Sequence, residues 1–542
     1  MSQTTTRRST ETGTGDASSD HEAASTVAAP ASKPIDRRLQ IAAALTGILI
    51  SSSFLSFRLY AVAWFAFVPL LWALRQAKDR RTVTRLGWIA GLTTNLPAFH
   101  WLIYTIHVFG GFPAIIAVFF YSCLSLFTST QFVLFTLAAR RSGRGPLLLA
   151  APAIWVSLEF LFPNLFPWRM ANSQYEVPLL LQSGDLFGPF GLSFVIVWFS
   201  AAIAQWLPPL EAERETSQQR ALPLALAGGA ALALALYGHV RLGEIDTLLQ
   251  ASDSVEVALV QGNISIEEKD DQTLIDTNLE RYRELSLPLQ ATTDLVVWPE
   301  TVSQHWIEAD SRTLSVKTNP FPDLKTHLLF GGLAYRLTGP DSADEFNSSF
   351  LIGPGGTVHG RYDKRILMPF GEYIPFAWLF PAIRKLSPNT AGFLAGEGVQ
   401  VWDIGGKFKL GPLICYEDLI AAMPRETTLA GAEVLLNILN DAWYGESAAP
   451  VQHQALAIWR SVENRRYLLR GSNTGVTSII DPAGRIVAEG GLFTEEVIRG
   501  RIQPLKLLTF HTRFGDVFAW SVVIGAALLL ATARSGRSVS AS

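Results

Sequence analysis

The sequence has little cysteine and little charge, and each shortage excludes a class of protein. Only 2 of the 542 residues are cysteine, so a disulfide framework cannot hold this chain together. Charged residues make up 17% of the chain and the formal net charge is -3, which leaves no basic excess for binding nucleic acid. The hydrophobic share is 49% and the mean hydropathy is +0.24, which is high for a soluble protein. The composition therefore favours a membrane protein with no nucleic-acid partner.

The first 36 residues lack any apolar run. They are rich in Ser, Thr, Ala, Asp and Glu, and cannot bury enough surface to offset the entropy of ordering. We therefore predict a disordered tail over residues 1–36. No hydrophobic stretch closely follows Arg7 and Arg8, so the first export element is expected to be the first membrane helix.

Apolar runs of the length needed to cross a bilayer, about 20 residues, recur along the chain. Seven lie within 37–240 and one lies within 515–534. The predicted spans are 39–57, 59–74, 86–106, 113–138, 146–162, 188–207, 221–238 and 517–533. The second and fifth runs contain Pro69 and Pro152 and are compatible with tilted or buried helices. The pattern predicts a polytopic α-helical protein with about eight transmembrane helices.

Lysine and arginine in the short loops predict the orientation of these spans, because cytoplasmic loops carry the excess of both. Basic residues cluster after the second, fourth and eighth spans: Arg75, Lys78, Arg80, Arg81 and Arg85; Arg140, Arg141 and Arg144; Arg534 and Arg537. The sixth loop is ambiguous, because acidic residues offset Arg214 and Arg220. We predict that both termini, including the tail 535–542, are cytoplasmic, and that residues 250–505 lie on the outer, periplasmic face.

Residues 250–505 have a different pattern, in which short β-rich runs alternate with polar stretches compatible with helices. This alternation is typical of an α/β domain. The predicted buried strands are 255–263, 294–300, 327–334, 408–418 and 433–440. Polar groups end three of them, in WPE, CYED and LND, and sites in α/β folds gather where such ends diverge into loops.

Three residues in this domain could together transfer an acyl group. Acyl transfer through a thiol needs a nucleophile, a base for its proton, and positive charge where the oxyanion develops. Cys415, Glu300 and Lys364 have these three chemistries. Each residue alone has a plainer interpretation: Cys415 as core filler, Glu300 as a helix cap and Lys364 as a solvated charge. Their joint occurrence near strand ends favours a catalytic site.

The order WPE, Y-x-K, CYE resembles the nitrilase superfamily, whose Glu, Lys and Cys work in an αββα sandwich. The match extends to one membrane branch, the apolipoprotein N-acyltransferases, through PFGEYIP (369–375), NDAWYG (440–445), QH (452–453) and the arrangement of spans around an outer domain. The stretch ISIEEKDDQ (264–272) departs from the aromatic-containing version of that family.

This resemblance implies a ping-pong reaction at the cell membrane. Glu300 would activate Cys415, which takes an acyl group from a phospholipid as a thioester while Lys364 and the backbone N–H of Tyr416 stabilise the oxyanion. The acceptor would be the α-amino group of an apolipoprotein's diacylglyceryl-cysteine. No metal or organic cofactor is expected, and we expect a monomer. The alternatives are a membrane-tethered carbon-nitrogen hydrolase that uses water, and a binding scaffold without catalysis.

Further residues are candidates for supporting roles. Glu372 and Glu417 could position the triad or form ordinary ion pairs. Asn440, Asp441, Trp443 and Tyr444 could shape a substrate pocket or form an Asx turn, and His453 is expected to be structural.

Two aromatic segments are candidates for contact with lipid. Trp168 and Arg169 are expected to anchor an outer loop at the interface or contact headgroups. Trp378 and Phe380, with Phe376 and Leu379, are candidates for a lipid entrance, or else complete the domain core.

Overall fold

The computed structural model describes residues 36–142, 147–208, 217–369, 371–373 and 392–539. The predicted tail before Asp36 and the proposed entrance residues Trp378 and Phe380 lie outside these ranges.

The helices of the described chain fall into two sets, one before residue 251 and one that begins among the strands and continues after the last of them. The first set is α1 (Arg37–Leu55), α2 (Val68–Gln76), α3 (Arg80–Ala98), α4 (Leu102–Tyr104), α5 (Ala114–Ser142), α6 (Leu147–Leu161), α7 (Pro178–Leu181), α8 (Gly184–Phe187), α9 (Pro189–Trp206) and α10 (Ser217–Gln250). The second is α11 (Ile266–Asp270), α12 (Ile275–Ser286), α13 (Ala422–Leu429), α14 (Ala449–Ala457), α15 (Trp459–Asn464), α16 (Phe510–Phe514) and α17 (Val517–Val539).

The strands occupy the segment between α10 and α16. They are β1 (Val255–Gln261), β2 (Leu295–Val297), β3 (Ser303–Glu308), β4 (His327–Gly339), β5 (Ser342–Ile352), β6 (Val358–Asp363), β7 (Trp402–Ile404), β8 (Phe408–Ile414), β9 (Val434–Leu439), β10 (Tyr467–Ser472), β11 (Ser478–Ile480), β12 (Ile486–Glu489) and β13 (Glu496–Ile502). All five strands predicted from the sequence are present, with β8 ending one residue before Cys415.

The strands form two mixed sheets. One has the order β13-β1-β2-β4-β5-β6, with β3 paired to β4, and the other has the order β12-β11-β10-β9-β8-β7. Strands β1, β2 and β4 are parallel, as are β8, β9 and β10. Parallel strands are usually buried on both faces, and β9 is buried along its whole length.

The sandwich has four layers. Apolar side chains such as Leu259 and Val297 of the first sheet meet Ile414 and Leu436 of the second in one core. The outer face of the first sheet packs on α12, and the outer face of the second packs on α14 and α15. The predicted αββα arrangement is therefore confirmed.

Several helices outside the sandwich have membrane-spanning character. Within the described residues, five helical segments are long and apolar enough to cross a bilayer: Arg37–Leu55, Phe57–Gln76, Ala114–Ser142, Pro189–Trp206 and Ala221–Gln250. Two shorter apolar helices, Leu147–Leu161 and Val517–Ala533, coincide with the predicted fifth and eighth spans. The predicted third span is displaced, because its helix is α3, which begins six residues earlier and gives way near residue 99 to α4 and a π-helical turn, Thr105–Phe109.

Small residues allow three of these helices to approach closely. A Cβ added at Gly91 of α3 would lie 2.7 Å from Cβ of Ser129 in α5, and one at Gly47 of α1 would lie 2.6 Å from the carbonyl oxygen of Ala90 in α3. Glycine is typical of such contacts, since helix association within lipid depends on packing rather than on the hydrophobic effect.

The helix α10 is longer than the predicted span 221–238. Its 34 residues extend about 50 Å, whereas a bilayer core is about 30 Å thick. The C-terminal part binds the rest of the protein through Asp185, which accepts from the Tyr237 hydroxyl at 2.7 Å and from Arg241 at 2.9 Å. Arg465 of the sandwich donates to the same carboxylate at 2.6 Å. This buried cluster ties the sandwich to the helical region.

Candidate active site

The residues predicted to carry the chemistry lie close together, where strands of both sheets end. Glu300 follows β2, Cys415 follows β8 and Asn440 follows β9, all at the carboxyl ends of parallel strands. Asn473, after β10, connects the two sheets: it donates to the carbonyl of Ile264 at 2.7 Å and to the Asn440 side chain at 3.2 Å. The alternation of strands and polar ends therefore places the site at one edge of the sandwich.

Glu300, Lys364 and Glu372 form a buried charged cluster. Lys364 Nζ lies 3.2 Å from Glu300 Oε1 and 2.8 Å from Glu372 Oε2. The exposed fractions of the three residues are 5%, 2% and 9%. Because an ammonium is costly to bury without compensation, two carboxylates around one lysine fix its position firmly.

Asn347 connects the two carboxylates of that cluster. Its Nδ2 donates to Glu300 Oε1 and to Glu372 Oε1, each at 2.8 Å, and its carbonyl accepts the backbone N–H of Lys364 at 2.9 Å. The residue was not among the sequence candidates. The available signal was an amide near the start of the buried run FNSSFLI of β5.

Cys415 is held in an unusual backbone conformation directly after β8. Its φ is 52°, in the left-handed region that non-glycine residues rarely adopt. The Asn437 side chain donates to the Cys415 carbonyl at 2.9 Å, and the Cys415 residue as a whole is half-buried. The turn therefore presents the thiol at the strand end instead of continuing the strand.

The thiol and the lysine shift each other's proton equilibria. Burial, together with the Glu300 carboxylate, raises the pKa of Cys415 well above its usual value, and the Lys364 ammonium only partly offsets this. Burial lowers the pKa of Lys364, but Glu300 and Glu372 outweigh it and hold that pKa well above its usual value. The resting pair is therefore a thiol and an ammonium, so a base must remove the thiol proton before attack.

Glu417 positions the main chain around both residues. Its carboxylate accepts from the N–H groups of Arg365 at 2.6 Å and Ile414 at 2.8 Å, and from the Tyr362 hydroxyl at 2.8 Å. These bonds link the loop that carries Lys364 to the turn that carries Cys415.

A second charged network lies beneath the Cys415 turn. His453 contacts Asp418 and Asp441, each at 3.0 Å, and Arg470 donates to Asp418 at 3.1 Å. Burial lowers the pKa of His453, but the two carboxylates outweigh this and raise the pKa to about 9. His453 thus lies within a buried hydrogen-bonded network of charged groups, which agrees with a structural position.

The turn also contacts the helical region. The Tyr416 hydroxyl donates to the carbonyl of Leu165, and the ring of Trp443 lies on Phe109, 4.0 Å between centroids. An aromatic cavity adjoins this contact and is lined by Phe99, Trp101, Phe166, Trp168, Tyr444 and His453. The strand ends of the sandwich therefore meet loops of the helical region beside Cys415.

The expected interfacial anchor at Trp168 is wrong. Trp168 is 5% exposed, and its ring packs on Phe54 at 5.2 Å. The physical reason is that the loop after α6 folds under the sandwich, where Trp168 completes the aromatic core. The guanidinium of the neighbouring Arg169 lies 4.8 Å from the centre of the Phe190 ring.

Asn440 has the geometry of an Asx turn, the plainer of the two interpretations given for it above. Its side-chain oxygen accepts from Ala442 N and caps the turn Asp441–Tyr444, which makes it an Asx-type cap. Trp443, in that turn, is partly buried and faces the π-helical segment through Phe109. Within the described ranges, no group of three or more His, Cys, Asp or Glu side chains is arranged to hold a metal ion.

Two family models match the chain. The apolipoprotein N-acyltransferase N-terminal domain matches residues 46–202, and the carbon-nitrogen hydrolase family matches residues 256–507. An apolipoprotein N-acyltransferase of Geobacter metallireducens is 35% identical over 513 residues, covering 93% of this chain and 97% of the relative. One of Pseudomonas paraeruginosa is 31% identical over 504 residues, covering 91% and 94%. Among solved structures, Saccharomyces cerevisiae Nit3, of the nitrilase superfamily, is 22% identical, with a TM-score of 0.33, over 46% of this chain and 90% of its own.

Proposed function

Because the chain belongs to the apolipoprotein N-acyltransferase family and is therefore an acyltransferase, we propose that Cys415 carries the acyl group. The donor is a phospholipid and the acceptor is the N-terminal α-amino group of a diacylglyceryl apolipoprotein. The observation that carries this proposal is the buried cluster of Glu300, Lys364 and Glu372 beside a left-handed Cys415 turn.

The first half-reaction forms a thioester. Glu300 takes the thiol proton of Cys415, and Sγ attacks the ester carbonyl of the phospholipid. The Lys364 ammonium and the backbone N–H of Tyr416 stabilise the oxyanion that develops on the carbonyl oxygen. The carbon–oxygen bond then breaks. Glu300 gives its proton to the leaving oxygen, and the lysophospholipid departs as an alcohol.

The second half-reaction forms the amide. The α-amino nitrogen of the acceptor attacks the thioester carbon, and Glu300 removes the proton from that nitrogen. The carbon–sulfur bond breaks, and the proton returns to the Cys415 thiolate. Glu372 holds the ammonium of Lys364 in place through both steps, which its 2.8 Å contact supports.

The surroundings of the site favour this acceptor over water. In the alternative, a membrane-tethered carbon-nitrogen hydrolase, water would resolve the same thioester. The relatives that match almost the whole chain are named as acyltransferases. The contact of Tyr416 with Leu165 places the thiol turn against the helical region, where a lipid donor lies.

We further propose that the seven apolar helical segments of the described chain, together with α3, form eight spans of the cell membrane. Both termini then lie in the cytoplasm and the sandwich on the periplasmic face, as the distribution of lysine and arginine indicates. The protein acts as a monomer, which is supported by a charged cluster of Glu300, Lys364 and Glu372 that is complete within one chain.

The proposal is tested by intact mass measurement of the purified protein. With phospholipid alone, we expect a gain of one acyl group on Cys415, and added diacylated lipopeptide should remove that group as an N-acyl product. Cys415→Ala should form no adduct, whereas Cys123→Ala, at an exposed thiol in α5, should behave as wild type. Acylation of Cys123, or normal transfer by Cys415→Ala, would contradict the assignment. Rapid release of free fatty acid without lipopeptide would favour the hydrolase.

A further inference from the structure

A second lysine lies behind the proposed base. Lys269, in the short helix α11, is 8% exposed, and its Nζ donates to the carbonyl of Glu300 at 3.1 Å and to the hydroxyl of Thr301 at 2.8 Å. Both acceptors are neutral oxygens. Burying an ammonium against neutral oxygens costs desolvation energy. An apolar side chain could fill the same volume without that cost, so packing alone does not explain a lysine here.

The backbone that Lys269 holds is strained. Thr301 has a φ of 48°, although its side chain is branched at Cβ, and such residues are rare in the left-handed region. The turn also packs tightly against β4, where a Cβ added at Gly331 would lie 2.4 Å from Thr301 N and 2.6 Å from Glu300 Cα. The turn therefore contacts both a glycine of the sheet and the Lys269 ammonium.

The two lysines hold different parts of the same residue. Lys364 contacts the carboxylate of Glu300, and Lys269 contacts its main-chain carbonyl. We propose that Lys269 is a positioning residue, which fixes the Glu300–Thr301 turn so that the Glu300 carboxylate faces the Cys415 thiol. This inference rests on the proposed function of Glu300 as the base.

The helix that carries Lys269 is stabilised independently of this contact. Ser265 and Glu268 form a reciprocal cap, with the Glu268 N–H donating to Ser265 Oγ at 3.1 Å and the Ser265 N–H donating to Glu268 Oε2 at 2.9 Å. Loosening this cap therefore tests the stability of α11 without removing the ammonium.

The ammonium can lose its proton within an accessible pH range. Burial lowers the pKa of Lys269 to about 8, against the opposing effect of the charged groups that face it, Glu300 of the turn and Asp270 of its own helix. Above pH 8 the turn should therefore lose a charged donor, and the base should lose its alignment.

The test uses the full-length protein with Cys123→Ala as background. Two rates are followed from pH 6 to 10: formation of the Cys415 thioester from phospholipid, and alkylation of Cys415 by iodoacetamide. Lys269→Met keeps the length of the side chain and removes the ammonium. Thr301→Val keeps the branched shape at Cβ and removes the hydroxyl that accepts from the Lys269 ammonium. Ser265→Ala is the control for a loosened α11.

We expect Lys269→Met to slow thioester formation about 100-fold, the size of effect that a misplacement of about 1 Å produces. Thr301→Val should slow it about tenfold, and Ser265→Ala should stay within about twofold, since the ammonium remains in place. The wild-type rate should fall above pH 8, and this fall should be absent from Lys269→Met.

Three results would overturn the role of Lys269: a folded Lys269→Met protein within twofold of wild type, equal losses in Lys269→Met and Ser265→Ala, or an unchanged alkaline fall in Lys269→Met. If Lys269→Met does not fold, a wild-type rate in Thr301→Val overturns it instead. Absence of any thioester in the wild type refutes the proposed function separately, because alkylation of Cys415 still reports the alignment of the base.

Discussion

The sandwich and the helical region expose opposite kinds of side chain. In the sandwich, charged side chains point outward: the side chain of Arg501 in β13 is 67% exposed, and that of Lys407 is 55% exposed. In the helices, large apolar side chains point outward: Phe119 of α5 is 62% exposed, and so is Leu528 of α17. The difference indicates two solvents, water around the sandwich and lipid around the helices, for one continuous chain.

Polar groups are also treated differently in the two regions. In the helices, hydroxyls return to their own backbone, as Thr94 does when it donates to the Ala90 carbonyl at 2.8 Å. In the sandwich, charged side chains hold distant segments together, as Glu417 does for the two loops of the site. Local bonding suits lipid, where no water can satisfy a stray group, whereas charge networks suit an enclosed reactive centre.

A measurement of membrane topology tests the assignment of two solvents most directly. A single cysteine placed at Gln400 should react with an impermeant maleimide added outside spheroplasts, whereas one at Lys78 should react only after permeabilisation. The background is Cys123→Ala with Cys415→Ala, and labelling is all or none because the reagent cannot cross the bilayer. The reverse pattern would contradict the orientation drawn from the positive charges.

The next largest effect concerns the buried charge at the reactive centre. Lys364→Ala should lower the rate of thioester formation about 100- to 1000-fold, because one oxyanion donor is lost. The matched control is Lys407→Ala. The Lys407 side chain is 55% exposed and its amino group pairs with Asp294, so this variant should retain the wild-type rate. A folded Lys364→Ala protein within tenfold of wild type would remove the distinction between the two pairs.

The charged network under the site should show itself in stability. The His453 pKa, about 9 in the fold, exceeds the ordinary value of 6.5, so this stabilisation is fully present below pH 6.5 and is lost as pH rises through 9. His453→Gln should lower stability at pH 6 by about 3 kcal/mol, because Asp418 and Asp441 lose their shared cation. Thermal unfolding in detergent from pH 6 to 10 would measure both effects, and equal pH slopes in the two proteins would refute the role.

The smallest expected effect is at the lipid-facing surface. Phe119→Ala should change thermal stability by less than about 0.5 kcal/mol, because its ring faces lipid in the folded protein and in the inserted, unpacked helix. The matched control in the same helix is Phe132, which is 0% exposed. Phe132→Ala should lower the free energy of unfolding by about 3 kcal/mol. Similar losses at both positions would show that α5 is not lipid-exposed at Phe119.

The strands of the site were predictable because their pattern is local. An apolar run such as VLLNIL, followed by Asn440 and Asp441, specifies a buried strand and its polar end without reference to distant residues. Most of the apolar helices were predictable for the same reason, although α10 continues past its apolar segment to Gln250 and α3 begins before its apolar segment at Arg80. Hydropathy detects only the apolar part of a helix, and the polar turns beyond it depend on partners such as Asp185.

The sequence by itself determined the class of the protein, the two sheets' main strands and the three residues of the proposed triad, because composition, periodicity and short motifs are properties of neighbouring residues. The tertiary structure alone decided which side chains meet. Asn347 joins Glu300 to Glu372, Lys269 holds the turn of Glu300 from a helix 31 residues earlier, and Trp168 is buried instead of anchoring a loop. Such contacts depend on the register of distant strands and on the packing of helices against them, and no local pattern contains that information.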